Sequence, residues 1–191
     1  MEERDPATTN GPITPEERTY VIDILHTTRD ALQQAIADLS DVQQQYKTTP
    51  DRWSITECVE HIYLVERGIF NATQAAMLTL AEPDRRTAIK VSDLFVIKAV
   101  RSRGVTTSSP TPFVPKGRFA NVPSAMDAFA QQRAATLAFA ETAAADMRLH
   151  FFEHPMLGTL DAYQTLLVIA SHGERHRKQI EEIKASAGFP A

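Results

Sequence analysis

A single cysteine, Cys58, excludes any internal disulfide. Only 7 glycines occur in 191 residues. With frequent Ala, Gln, Glu and Leu and few alternating β-branched runs, that scarcity argues against sheet and predicts helix throughout. Long apolar runs are also missing: Leu166-Leu167-Val168-Ile169-Ala170 falls far short of the roughly 20 residues that cross a bilayer, so no membrane partner is expected. There is no excess of positive charge. Lys plus Arg number 20 against 24 Asp plus Glu, for a net charge of −4. A pI near 5.9 leaves no footprint for wrapping nucleic acid. The opening MEERDPATTNGP has acidic and turn residues where a secretory signal needs a basic and then an apolar stretch, so a cytoplasmic location is expected.

What is present suits one compact domain: 43% of residues are hydrophobic and 23% charged. Residues 1–13 are polar and rich in turn formers, and read as a mobile tail. The domain is expected over 14–187, with a second short tail at 188–191. Thr14-Pro15-Glu16-Glu17 is a helix start, with Thr14 as cap, Pro15 at the first position and Glu17 completing a capping box. The stripe Val21, Ile24, Leu25, Thr28, Leu32, Ala35 and Leu39 predicts that this helix runs to about Gln45. Ser54 and Glu57 form a second capping box, with Trp53 placed to staple against Cys58. This second helix is predicted to run to about Leu80, with Pro83 marking its exit. An irregular insertion follows at about 84–121, containing a short helix over Val91–Val100. A third helix begins near Asn121 or Ser124. Residues 148–158 read as a turn segment around His154-Pro155 and Gly158, and Thr159 is expected to cap a last helix over Leu160–Ala185.

Six histidines occur, at 26, 61, 150, 154, 172 and 176. His172 and His176 lie four residues apart on the last helix. At about 100° per residue their rings return to within roughly 40° of each other, about 6 Å apart along the axis, close enough to grip one metal ion. The same helix face carries Thr165, Val168, Ile169, Ile180 and Ile183, so both rings should point into or along the core, where an unpaired polar ring is costly. His61 is the candidate third ligand because it too falls on the core side of a capped helix. The ordinary reading, histidines bonded to one another or to the core, stays open on spacing alone.

The chain resembles the DinB-like superfamily of bacterial helical-bundle metalloproteins. The likeness rests on Trp53-Ser54-Ile55 with Glu57 and Glu60-His61, on His154-Pro155-x-x-Gly158, and on His172-x-x-x-His176 followed by Gln179-Ile180. It implies an all-α, up-down-down-up four-helix bundle with a long irregular connection between helices two and three. It also implies a divalent metal, Zn²⁺ or Ni²⁺, held by His61, His172 and His176. Three imidazoles leave a coordination position for water or substrate, as in catalytic zinc sites. Characterised members use low-molecular-weight thiols such as bacillithiol or mycothiol, or isomerise maleylpyruvate. The implied activity is therefore a metal-dependent transfer of a thiol to a small-molecule electrophile. A non-catalytic metal or ligand-binding bundle and a metal-dependent hydrolase are the alternatives. A homodimer is the expected assembly.

Other residues carry two readings each. Glu57 is a cap; Glu60 and Glu174 are solvated charges or orienters of the ligands. Arg175, Arg177 and Lys178 form a basic helix face, or hold carboxylates of a thiol cofactor. Cys58 is an inert core thiol or a fourth ligand, and Trp53 and Tyr63 are packing residues or substrate platforms. The segment around Arg101, Arg103, Lys116 and Arg118 is a lid, a dimer contact or a passive connector. No residue is assigned a catalytic role.

Overall fold

The computed structural model describes residues 12–104 and 108–191; residues 1–11 of the expected N-terminal tail, and residues 105–107 of the insertion, lie outside the described residues. Among the described residues six α-helices and one hairpin follow in chain order: α1 (Pro15–Ala35), α2 (Asp41–Gln45), α3 (Ile55–Met77), α4 (Asp93–Arg101), α5 (Val122–Thr142), β1 (Phe151–His154), β2 (Gly158–Asp161) and α6 (Ala162–Lys184). The four long helices α1, α3, α5 and α6 form the bundle. Both α1 and α3 pack against α5 and α6.

Side-chain pairs give the direction of each helix. Thr73 bonds Thr165 while His61 meets His172 and His176, so α3 and α6 run antiparallel. Glu66 meets Arg133 and Phe70 meets Phe139, so α3 and α5 run parallel. Arg18 donates to the Ala140 and Ala143 carbonyls, and Arg133 to the Leu25 carbonyl, so α1 and α5 are antiparallel. Lys184 reaches the Ala35 carbonyl at the shared C-terminal end of α1 and α6. The topology is up-down-down-up, as the family resemblance implies.

Both expected capping boxes form: Thr14 accepts from the Glu17 N–H and Ser54 from the Glu57 N–H, and each glutamate reaches back to its cap. The first helix does not reach Gln45. It ends at Ala35, Asp38 takes a φ of 57°, and a third capping box, Ser40 with Gln43, starts α2. Leu39 still packs on the core, so the apolar stripe continues through the break. The second helix stops at Met77, three residues short of its expected end, with Leu78 and Leu80 exposed. The insertion holds a 3-10 turn over Pro83–Ala88 and α4, which Ser92 caps.

Residues 148–158 are not only a turn. Phe151–His154 pairs antiparallel with Gly158–Asp161, and Gly158 takes the positive φ of 73° that closes the hairpin. The cap of the last helix is accordingly Asp161, with Gln164 as reciprocal partner, while Thr159 sits in β2 and bonds Glu153. At the other end, Phe189 packs edge-on against Tyr46 and Gln43 donates to the Pro190 carbonyl.

Helix α6 is the central element. Every residue from Ala162 to Ser171 is buried, because α1, α3 and α4 all pack on it; a helix enclosed this way has no use for a polar face. No helix among the described residues is long and apolar enough to cross a membrane.

Candidate metal centre

His61 stands in the second turn of α3, and His172 and His176 lie one turn apart on the antiparallel α6. The three rings converge. Their centroids are 4.9 Å apart for His61 and His172, 4.5 Å for His61 and His176, and 4.4 Å for His172 and His176. One ring nitrogen from each lies within 4.8 Å of the others, and the Nε2 atoms of His172 and His176 are 3.1 Å apart. His61 and His176 are buried; His172 is partly exposed.

Outer contacts decide which nitrogens are free. His61 Nδ1 lies 2.7 Å from the Phe113 carbonyl, an acceptor, so Nδ1 carries the proton and Nε2 keeps its lone pair. His176 Nδ1 lies 2.9 Å from Oε1 of Gln179, an acceptor, so the lone pair of His176 is on Nε2, which faces Nε2 of His172. Arg103 donates to the same Gln179 oxygen at 3.2 Å and pairs with Glu182 at 2.6 Å. Metal-ligating histidines are held by this kind of outer bond, which fixes the tautomer and the ring plane. The donor set therefore fits a divalent ion that accepts imidazole.

Electrostatics keep the rings neutral. Burial pushes His61 down to about 4, against the Phe113 hydrogen bond and with help from Arg175. Burial also pushes His176 down to about 3, with His61 adding to the shift and Gln179 opposing it. His172 is lowered by burial and then by its two histidine neighbours. Neutral imidazole is the ligating form, so all three are ready to bind at neutral pH.

The remaining candidates fall into place around this group. Trp53 lies against it, its ring 4.6 Å from His61 and 6.0 Å from His176, and forms a wall of the site. Tyr63 packs edge-on against Phe119. Cys58 is fully buried in the apolar cluster with Val59 and Ile62, and burial pushes its thiol up to about 12. It behaves as a core residue. His150 bonds the Ala76 carbonyl, and His154 accepts from the Met156 and Leu157 amides in the hairpin turn. His26 belongs to α1, which contributes nothing to the triad.

Glu57 caps α3 and pairs with Lys47. Glu174 pairs with Arg177. Glu60 is buried and accepts from the backbone N–H groups of Lys116 and Arg118. Sequence reasoning gave no role to Phe113, because a backbone carbonyl leaves no signature. Gln179 belongs to the motif that carries the resemblance but had no role there, although it lies one turn after His176 on the face that reaches its Nδ1.

Comparison with known proteins adds a family and a fold. A family model of the DinB superfamily matches residues 24–180. A search of the curated proteins finds no match. Among solved structures the chain is similar to YfiT from Bacillus subtilis, described as a probable metal-dependent hydrolase with an unusual four-helix bundle topology. That match has a TM-score of 0.62 and 16% identity, and covers 100% of this chain and 97% of the other.

Proposed function

The chain belongs to the DinB superfamily, and from that premise we propose that His61, His172 and His176 hold a divalent cation, zinc or nickel, for transfer of a low-molecular-weight thiol to a small electrophile. The observation that carries this reading is the convergence of three neutral imidazoles, two of them oriented by bonds at Nδ1. Three nitrogen ligands suit zinc, nickel, copper or iron, and a three-ligand set is the catalytic kind rather than the closed structural kind. The bound cation would supply the positive charge that keeps a coordinating thiol in its thiolate form at neutral pH. The chain's own residues do the rest. Phe113 and Gln179 hold two ligands in register, and Trp53 shields one side from water. Arg175 and Arg103 lie close enough to His176 to help keep that ring neutral.

The description of YfiT favours a second reading, hydrolysis at the same ligands. Thiol transfer is preferred because the acids nearest the ligands in sequence are committed elsewhere: Glu57 to its cap and Lys47, Glu60 to two backbone amides, Glu174 to Arg177. None of these three is left to act as the general base that activates water.

The test is elemental mass spectrometry on untagged wild type beside His61→Ala and His176→Ala, followed by turnover of an aryl halide with and without bacillithiol or mycothiol. One metal ion per chain, lost in both variants, with turnover only when thiol is present, is the expected result. Metal-dependent ester cleavage without thiol would replace transfer by hydrolysis, and bound metal with neither activity would make this a binding protein. No metal uptake after addition of Zn²⁺ or Ni²⁺ would overturn all three.

A further inference from the structure

The irregular connection between α4 and α5 is tied to both ligand-bearing helices. On the α3 side the Phe113 carbonyl meets His61 Nδ1 at 2.7 Å. The next turn of the connection is clasped by Glu60, the neighbour of His61. One Glu60 oxygen accepts from the Lys116 N–H at 2.9 Å and the other from the Arg118 N–H at 3.0 Å. A further fixed point is steric: the Phe113 ring lies over Gly68, where an added Cβ would come within 2.5 Å of a ring carbon. On the α6 side Arg103 meets Gln179 and Glu182.

The Glu60 carboxylate is only 1% exposed. Burying a carboxylate is costly unless strong donors meet it, and bonds from N–H to an ionised oxygen are the shorter, stronger kind. Here each oxygen has one, and both donors belong to a stretch with no helix or strand of its own. Two bonds to alternate residues fix the path of that stretch, and Phe113 lies three residues before the first of them.

We propose that Glu60 is a positioning residue of the metal centre. By clasping the Lys116 and Arg118 amides it holds the Phe113 carbonyl against Nδ1, and so keeps His61 as the tautomer whose Nε2 lone pair is offered to the triad. Linkage makes the effect reciprocal: a metal held by His61 would tighten the connection in turn. The proposal rests on the metal reading of the triad, but the tautomer can be tested without metal.

The experiment reads the histidine tautomers of metal-free, ¹⁵N-labelled protein by long-range ¹⁵N–¹H NMR, and the Zn²⁺ affinity by competition with a chromophoric chelator. The proteins are wild type, Glu60→Gln, Gly68→Ala and the control Glu174→Gln. Wild type should show His61 protonated at Nδ1. Glu60→Gln should show a mixture of tautomers at His61 and an unchanged His176, with zinc affinity about 10- to 100-fold weaker, the range for loss of an outer partner. Gly68→Ala displaces the Phe113 ring without removing a charge, and should shift both readouts in the same direction. Glu174→Gln, whose carboxylate meets Arg177 and no ligand, should leave both readouts as in wild type. An unchanged His61 tautomer in Glu60→Gln would overturn the proposal, even if zinc bound more weakly, since that loss would then trace to charge alone. Should Glu60→Gln fail to fold, Glu60→Asp, which keeps the charge but draws the carboxylate back by one methylene from the Lys116 and Arg118 amides, decides by the same criterion. If wild type takes up no zinc, the metal reading falls while the tautomer still decides the role of Glu60.

Discussion

Arg148 and His61 are both buried polar side chains that face helix α6, and their surroundings could hardly differ more. Arg148 is 2% exposed and is met by Glu17, Asp93 and Asp161, with the Tyr163 ring beneath its guanidinium. In the middle of the bundle Arg133 is treated alike. It is 0% exposed, pairs with Glu66, donates to Leu25 and Thr28, and stacks on Phe129. At the histidine end the partners are a carbonyl, an amide and other imidazoles, and burial strips the rings of charge. One region stabilises charge with ion pairs and aromatic faces; the other withholds protons and keeps nitrogen lone pairs available. The first ties helices together, and the second can take a ligand.

The contrast can be broken most severely at Arg133. Arg133→Ala strands Glu66 without its cation and should cost about 3–5 kcal/mol by chemical denaturation, as for other broken buried pairs. Arg133→Met with Glu66→Leu removes both charges and should recover most of that loss. If the double variant were as unstable as the single one, the network would act through shape rather than charge.

Acid should act on the opposite end. His61 and His176 titrate near 4 and 3 in the fold but near the ordinary 6.5 when unfolded, so between these values the unfolded chain binds protons that the folded chain refuses. Metal-free protein should therefore lose stability as pH falls from about 6.5 towards 4, by about 1 kcal/mol per pH unit for each such histidine. Denaturation midpoints across that range, compared with those of His61→Asn, measure it. A flat profile in wild type would mean that the rings are not held neutral.

Smaller effects sharpen the picture. Gln179→Ala frees His176 Nδ1 and should weaken zinc binding about tenfold, with little change in thermal stability, by chelator competition and calorimetry. Cys58→Ser should leave metal content unchanged, because the thiol is buried in the apolar cluster and stays protonated.

Much of this architecture was legible in the chain because its signals are local. The boxes at Thr14 and Ser54 announce helix starts through contacts three residues apart, and the spacing of His172 and His176 puts two imidazoles on one face whatever surrounds them. The break after Ala35 was hidden because Leu39 continues the apolar stripe while the backbone turns at Asp38. The hairpin was hidden for another reason: strands of four residues carry too little periodicity to be seen, and only their mutual pairing stabilises them.

The same division applies to the site. Local sequence specifies the helix starts at Thr14 and Ser54, the scarcity of turn residues within the helices and the paired histidines, since each depends on neighbours within a turn or two. Only the packed fold brings the Phe113 carbonyl to Nδ1 of His61, and only the packed fold turns Glu60 to a backbone rather than to water. Those outcomes depend on which helices are antiparallel and on where an irregular connection is pinned. Such contacts join residues dozens of positions apart, and a backbone carbonyl or amide looks the same in every sequence that could supply it.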